Sequence, residues 1–218
     1  MGNSFANYPS LRGKNILITG GASGIGKELV KGFAEQGSNV AFLDLNVEAG
    51  EQLSSDVGKN VFFQQCDLKE VGNINSSIEN LRAKIGLFDV LVNNAAHDDR
   101  HNWQEVTEAY WDERFATNLR HQFFTIQSVA KDMIQKGGGS IVNIGSNSWM
   151  EAVGNFPAYA TAKSAVHGLS RTLARDLGKH RIRVNTVVPG WIMTDRQKEL
   201  WVTPEGLEIN IKGNVYRI

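Results

Sequence analysis

Several things are scarce in this chain, and each scarcity narrows what it can be. There is one cysteine, Cys66, in 218 residues. That excludes an internal disulfide and suits a reducing cytoplasm. No charge of either sign is in excess, because Lys plus Arg and Asp plus Glu both count 23. No net field therefore recruits nucleic acid or an anionic membrane. No apolar run approaches the roughly 20 residues that a membrane-spanning helix needs. The first ten residues lack the basic and apolar regions of a signal peptide. Gly2 fits a loose myristoylation pattern, but no second membrane signal stands beside it. Repeats, linkers and low-complexity tracts are missing too. The expectation is a cytoplasmic protein folded as one α/β domain over residues 1–218, long enough for a substantial core.

Against this background, short apolar runs alternate with helical patterns. Asn15-Ile-Leu-Ile-Thr19 reads as a buried parallel strand. It runs straight into Gly20-Gly-Ala-Ser23-Gly24-Ile25-Gly26 and then a helix with Leu29, Val30, Phe33 and Ala34 on one side. Strand, glycine turn and helix start are the context that a phosphate-binding loop requires. Glycines let the backbone approach a pyrophosphate, and the helix start offers free N–H groups at its positive end. A tight structural turn is the plainer reading of the glycines alone, and the context favours the dinucleotide one.

The next strand, Asn39 to Asp44, ends on an acid 18 residues after Gly26. A carboxylate there accepts hydrogen bonds from ribose hydroxyls and repels a 2′-phosphate. No Arg or Lys stands at Ser23, Leu45 or Asn46 to attract one, so NAD is favoured over NADP. A helix over 47–57, a strand from Val61 to Cys66 leading into Asp67-Leu68, and a helix around 74–85 follow. Then come a strand from Asp89 to Asn93 with Asn94-Ala95-Ala96 after it, and one long helix over 108–135. A fifth strand, Ile141 to Ile144, leads to Gly145-Ser146; a helix runs from Pro157 to about Lys179; a sixth strand from Arg183 to Val188 closes at Pro189-Gly190. This alternation implies a Rossmann-like, doubly wound parallel sheet, and ligands in such sheets bind beyond the carboxyl ends of strands. Gly20, Asp44, Asp67, Asn93 and Ser146 all fall at such ends.

Tyr159 and Lys163 are four apart on the predicted 157–179 helix and should share a face. An ammonium one turn from a phenol favours the phenolate and lowers the tyrosine pKa, making Tyr159 an acid/base for alcohol and carbonyl chemistry. Asn118 is polar in a row of otherwise apolar positions, read either as a satisfied core amide or as one that holds a water or a carbonyl near the reaction. His97, Asp98, Asp99, Arg100 and His101 form a polar loop beside the cleft. Metal ligation is disfavoured there because the Asp-Asp-Arg run can satisfy itself by ion pairing, and no metal is expected.

Taken together, these residues resemble the short-chain dehydrogenase/reductase superfamily from about residue 11 to residue 194. The matching motifs are Thr19-Gly20-x-x-x-Gly24-Ile25-Gly26, Asp67, Asn93-Asn94-Ala95-Ala96, Asn118, Ser146, Tyr159-x-x-x-Lys163 and Pro189-Gly190. Ala96 stands where the family usually has glycine. The resemblance implies strand order 3-2-1-4-5-6, NAD binding, and a catalytic set of Asn118, Ser146, Tyr159 and Lys163. Ser146 is chosen over Ser148 because the family places this serine thirteen residues before the tyrosine. Ile192 and Thr194 are implied at the nicotinamide end, with Leu68 and Ala95 along the cofactor.

Asp98-Asp99-Arg100-His101, Ala109-Tyr-Trp-Asp-Glu-Arg114, Asn118-Leu-Arg-His121, Gly145-Ser-x-Ser-Trp149, Arg196-Gln and Thr203-Pro-Glu-Gly206 are similar to the bacterial D-xylose (aldose) 1-dehydrogenase subgroup. That likeness implies oxidation of an aldose to an aldonolactone. Ser146, Ser148, Trp149, Tyr159, Asp98 and Arg100 would then face the sugar, with Trp149 offering an apolar face to a pyranose or merely packing a lid. Two alternatives stand beside this reading: the same chemistry on another polyol, hydroxy or keto compound, and a dinucleotide-binding scaffold without activity. The family continues through a further helix and a seventh strand, which residues 207–218 do not match. A shortened or altered end with an open sheet edge is therefore expected, bearing on the homodimer or homotetramer the family suggests.

Overall fold

The computed structural model describes residues 6–203. The expectations for Gly2, for Pro204-Glu-Gly206 and for residues 207–218, the seventh strand among them, lie outside the described residues. Six strands form one parallel sheet in the order β3-β2-β1-β4-β5-β6, as the resemblance implied. They are β1 (Asn15–Thr19), β2 (Asn39–Asp44), β3 (Val61–Gln65), β4 (Val90–Asn93), β5 (Gly139–Ile144) and β6 (Ile182–Val187).

The sheet is buried on both faces, which is why its central strands read as unbroken apolar runs rather than alternating ones. Every residue of β1 is buried. On one face Leu17, Ala41 and Leu91 pack against Ile74, Ile78 and Leu81 of α3 (Val71–Ile85) and against Ile126, Val129 and Met133 of α5 (His121–Lys136). On the other, Ile16, Ile18, Val40 and Phe42 meet Val30 of α1 (Gly24–Glu35) and Leu53 of α2 (Val47–Val57). Period-2 alternation along each strand divides these two clusters between the faces.

A chain of polar side chains crosses the sheet inside this core. Asn93 donates to Asn143 at 2.9 Å, Asn143 donates to Ser170 at 2.9 Å, and Thr186 donates to Ser170 at 2.7 Å. Thr125 donates to Asn93 at 2.6 Å. With each link satisfied, the chain fixes the register of β4, β5 and β6 without the cost of an unpaired buried group.

The long helix expected over 108–135 runs without a break but is not evenly wound. It is α4 (Glu108–Phe115), a π-helical turn (Ala116–Arg120) and then α5. Asn118 supplies the reason: its Nδ2 donates to the Arg114 carbonyl at 2.9 Å and to the His97 carbonyl at 3.2 Å. A side chain that takes a backbone acceptor inside the helix favours a wider turn there. The sequence reading also lacked α7 (Asp195–Leu200). Its residues Asp-Arg-Gln-Lys-Glu-Leu show no apolar stripe, and tertiary contacts hold it in place.

Candidate active site

All six strands point their carboxyl ends toward one cleft of about 1380 Å³. The β1 end supplies the glycine loop. Gly20 takes φ +66, and a Cβ there would sit 2.8 Å from the Ala95 Cα. Gly26 lies so close to the Gly20 carbonyl that any side chain would collide with it. Asn94 ties the loop to β4 by donating to the Thr19 and Gly20 carbonyls at 3.0 and 2.9 Å. In return, Thr19 Oγ1 accepts from the Asn94 and Ala95 N–H groups. Ser23, at the N-cap of α1, makes no side-chain capping bond. The first N–H groups of α1 are thus left uncapped, as a pyrophosphate would require.

At the β2 end, one carboxylate oxygen of Asp44 accepts from the Ala22 N–H at 2.9 Å and the other from the Asn46 N–H at 3.0 Å. Each oxygen keeps a further lone pair for a ribose hydroxyl. The surroundings therefore fit an adenosine diphosphate moiety. Ser23, Gly24, Ile25, Asp67, Leu68, Asn94, Ala95, Pro189, Gly190, Ile192 and Thr194 line the same cleft. Gly26 does not line it, and its place is behind the loop. Thr194 caps α7 through a bond from the Gln197 N–H to its hydroxyl at 3.3 Å.

Ser146, Tyr159 and Lys163 converge at the β5 end, all on the cleft wall. Tyr159 and Lys163 come from α6 (Pro157–Gly178), where Pro157 fixes the first turn. Lys163 is buried and donates to the Ile144 carbonyl at 2.8 Å. Burial draws its pKa down to about 8, still cationic at neutral pH. Its Nζ lies 5.8 Å from the Tyr159 ring centroid. Ser146 Oγ donates to Ser148 Oγ at 3.0 Å and accepts from the Ser148 N–H at 3.2 Å, so the two serines are a single polar unit.

Spacing alone had suggested a lowered tyrosine pKa, and the structure corrects this. Burial pushes the Tyr159 phenol up to about 12; a Ser146 hydrogen bond and the Arg100 charge oppose that, and Asp98 adds to it. The ammonium of Lys163 is engaged with the Ile144 carbonyl instead, and desolvation wins.

Asn118 is fully buried and does not line the cleft. Its Oδ1 accepts from the His97 N–H at 2.8 Å, so with its two donated bonds it anchors the loop after β4. In that loop Asp98 accepts from Gln197 at 2.7 Å and faces Arg196 at 3.6 Å. Asp99 accepts from Arg196 at 2.7 Å and faces Arg114 at 3.5 Å. Arg114 Nη1 lies 2.7 Å from His97 Nδ1, and an Asp99 carboxylate oxygen lies 3.0 Å from the same nitrogen. Burial and the nearby Arg196 and Arg114 charges hold the His97 pKa down despite Asp99. His101 joins Tyr110 at 2.9 Å and accepts from the Ala158 N–H at 3.3 Å. Among the described residues no three His, Cys, Asp or Glu side chains are grouped to hold a metal ion.

Trp149, read as facing a sugar or as packing a lid, is not on the cleft wall. It packs edge-on against His167 with ring centroids 5.3 Å apart. Trp103 and Trp191 line the cleft, and so do Phe156 and Trp201, which flank Arg100. Neither of the last two was singled out from the sequence, although Phe156 could have been: it precedes the helix-starting Pro157, only three residues from Tyr159.

Comparison with known proteins agrees with this geometry. The sequence profile described as "short chain dehydrogenase" matches residues 14–205. The D-xylose 1-dehydrogenase of Caulobacter vibrioides (strain NA1000 / CB15N) is 48% identical over 93% of this chain and 81% of its own length. "Probable galactose dehydrogenase GalD" of Rhizobium meliloti (strain 1021) is 45% identical over 93% of this chain and 80% of its own. Among solved structures, that of gox2181 superposes with a TM-score of 0.88 at 28% identity, covering 95% of this chain and 84% of that one. A 3-ketoacyl-(acyl-carrier-protein) reductase from Brucella melitensis complexed with NADH superposes with a TM-score of 0.81 at 25% identity, covering 85% and 78%.

Proposed function

The chain belongs to the short-chain dehydrogenase family, and from that premise we propose that it oxidises an aldose of the D-xylose kind at its anomeric carbon to the aldonolactone, with NAD as the hydride acceptor. The observation that carries this reading is the convergence of Ser146, Tyr159 and Lys163 in the cleft that also holds the uncapped start of α1. The identity with the xylose and galactose dehydrogenases supports the sugar, and Asp44 at the β2 end supports NAD.

Nicotinamide, when bound, takes the C1 hydrogen together with its electron pair. The protein's own residues handle the remaining proton. Tyr159 as phenolate removes it from the anomeric hydroxyl, and the C1–O bond gains its second pair as the hydride leaves. Ser146, turning its hydroxyl hydrogen from Ser148 to the substrate, donates to the oxygen that becomes the carbonyl. Lys163 keeps a cation near the phenol and would hold the ribose hydroxyls of a bound nicotinamide cofactor. Asn118 acts by positioning, because it holds the His97–His101 loop and the π turn together.

With the phenol held near 12, only a small fraction is ionised at neutral pH. Oxidation should therefore speed up about tenfold per pH unit between pH 6 and pH 8. Tyr159→Phe should keep NAD affinity within about threefold and lose at least a thousandfold in turnover across a panel of pentoses and hexoses. A folded Tyr159→Phe protein that still reduced NAD would refute the assignment.

Self-association and a cytoplasmic setting complete the proposal. An apolar groove of about 590 Å³ on α4, α5 and α6 is lined by Phe115, Leu119, Phe123, Phe124, Ala165 and Leu169. Phe123 is 40% exposed in it, which suits a face that a second copy covers. The lone, buried Cys66 suits a reducing compartment, and no helix among the described residues is long and apolar enough to cross a membrane.

A further inference from the structure

Besides His97, which Arg114 and Asp99 engage, the polar loop after β4 carries four polar side chains, and three of them are already engaged. Asp98 is held by Gln197 and Arg196, Asp99 by Arg196 and Arg114, and His101 by Tyr110 and the Ala158 N–H. Arg100 is different. Its guanidinium lies over aromatic rings, with Cζ 4.0 Å from the Phe156 centroid and 5.3 Å from the Trp201 centroid. No hydrogen bond or ion pair ties it to any described residue, yet it stands on the cleft wall. Phe156 lies 5.4 Å from Tyr159 between ring centroids, so the guanidinium sits one aromatic ring beyond the reacting phenol. A second donor waits beside it: Trp201 Nε1 is buried and has no hydrogen-bond partner among the described residues.

A guanidinium and an indole N–H donate only; neither can accept. A sugar hydroxyl placed between them would leave its own hydrogen without an acceptor. A carboxylate accepts at both oxygens and carries the charge that a stacked guanidinium matches bidentately. A buried donor left unpaired is costly, so an occupant that reaches Trp201 Nε1 as well as the half-buried guanidinium is selected.

We infer that Arg100 and Trp201 form a carboxylate subsite at the far end of the substrate cleft, and that the protein oxidises sugar acids bearing a carboxylate opposite the anomeric carbon in preference to the corresponding neutral aldoses. This rests on the aldose reading of the same cleft. The chemistry is unchanged: the anomeric carbon gives its hydride to NAD and its hydroxyl proton to Tyr159, and the carboxylate keeps its electrons throughout.

The experiment compares D-galacturonate with D-galactose, and D-glucuronate with D-glucose, by kcat/KM with NAD. Each acid should exceed its neutral partner at least tenfold. Arg100→Gln should lower that ratio at least tenfold, Arg100→Lys should restore part of it, and NAD affinity in both variants reports that the fold is kept. Calorimetric titration of D-galacturonate into Tyr159→Phe holding NAD should show binding that added salt weakens. Neutral aldoses turned over without preference for the acids, or a ratio unmoved by Arg100→Gln, would overturn the subsite and leave the aldose reading standing. Galacturonate binding without turnover of any sugar in the wild type would support the subsite and remove the aldose reading. Neither binding nor turnover of the acids would overturn the subsite.

Discussion

Single side chains in this protein are set by burial more than by their neighbours in sequence. His121 is the clearest case. It is fully buried, neither ring nitrogen has a partner, and desolvation with the Lys163 and Arg120 charges drops its pKa to about 3. A histidine that stays neutral when folded but protonates near 6.5 when unfolded binds more protons in the unfolded state between those values. Stability from this residue is therefore full above pH 6.5 and falls by about 1.4 kcal/mol per unit below it. His121→Gln should remove that slope. Urea denaturation at pH 7 and pH 5 should show the wild type losing about 2 kcal/mol more than the variant.

The same rule explains what was legible at residue scale. Tyr159, Lys163, Ser146 and the glycine loop carry motif spacing, and the structure brings them to one cleft wall. The direction of the Tyr159 shift was not legible, because an i,i+4 spacing says nothing about how deeply α6 is buried. Trp149 misled for a related reason: an aromatic beside a catalytic serine can turn either way, and His167, eighteen residues on, takes its edge.

At the scale of elements, α7 has no apolar stripe of its own, so its position depends on what it grips. Arg196 and Gln197 reach across to Asp99 and Asp98, and Trp191 donates to Gln197 at 2.8 Å. Together they latch the segment after β6 onto the loop after β4, over the mouth of the cleft. Arg196 is 41% exposed, so each pair contributes little alone, about 0.5 kcal/mol or less, and the latch opens easily. Arg196→Ala should leave the thermal midpoint nearly unchanged while speeding amide exchange over 195–201 and raising the sugar KM several-fold. Amide exchange no faster than wild type would show that the ion pairs do not hold this segment. A helix held by contacts a hundred residues away is invisible to local periodicity, which is why the six strands could be read from the sequence and α7 could not.

At the scale of the whole molecule, the doubly wound parallel sheet followed from alternation, because each central strand is buried on both faces and each crossover returns through a helix, while its strand order came from the family resemblance. The outer surface is less determinate. Phe123 sits on the solvent side of α5 at 40% exposure, with Trp111 at 37% on α4 nearby in sequence. If a second copy covers the α4–α6 groove, Phe123→Glu should convert the protein to a monomer. Light scattering after size exclusion checks this, and an unchanged mass would place the contact elsewhere. Because that ring is already partly wet, the variant should fold with a loss of about 1 kcal/mol or less.

The π turn at Ala116–Arg120 has a consequence for the way this helix tolerates change. A wider turn holds one residue more than regular winding would, and each residue in a helix advances the phase by about 100°. Everything from His121 onward is therefore rotated relative to the frame that α4 alone would set. Ile126, Val129 and Met133 meet the sheet only because of that offset. Removing one residue between 116 and 120 would let the helix wind evenly and leave that face pointing the same way, because five residues of the wider turn and four of regular winding each advance the phase by about 400°. The segment thus absorbs a change of length by one residue without turning the helix beyond it.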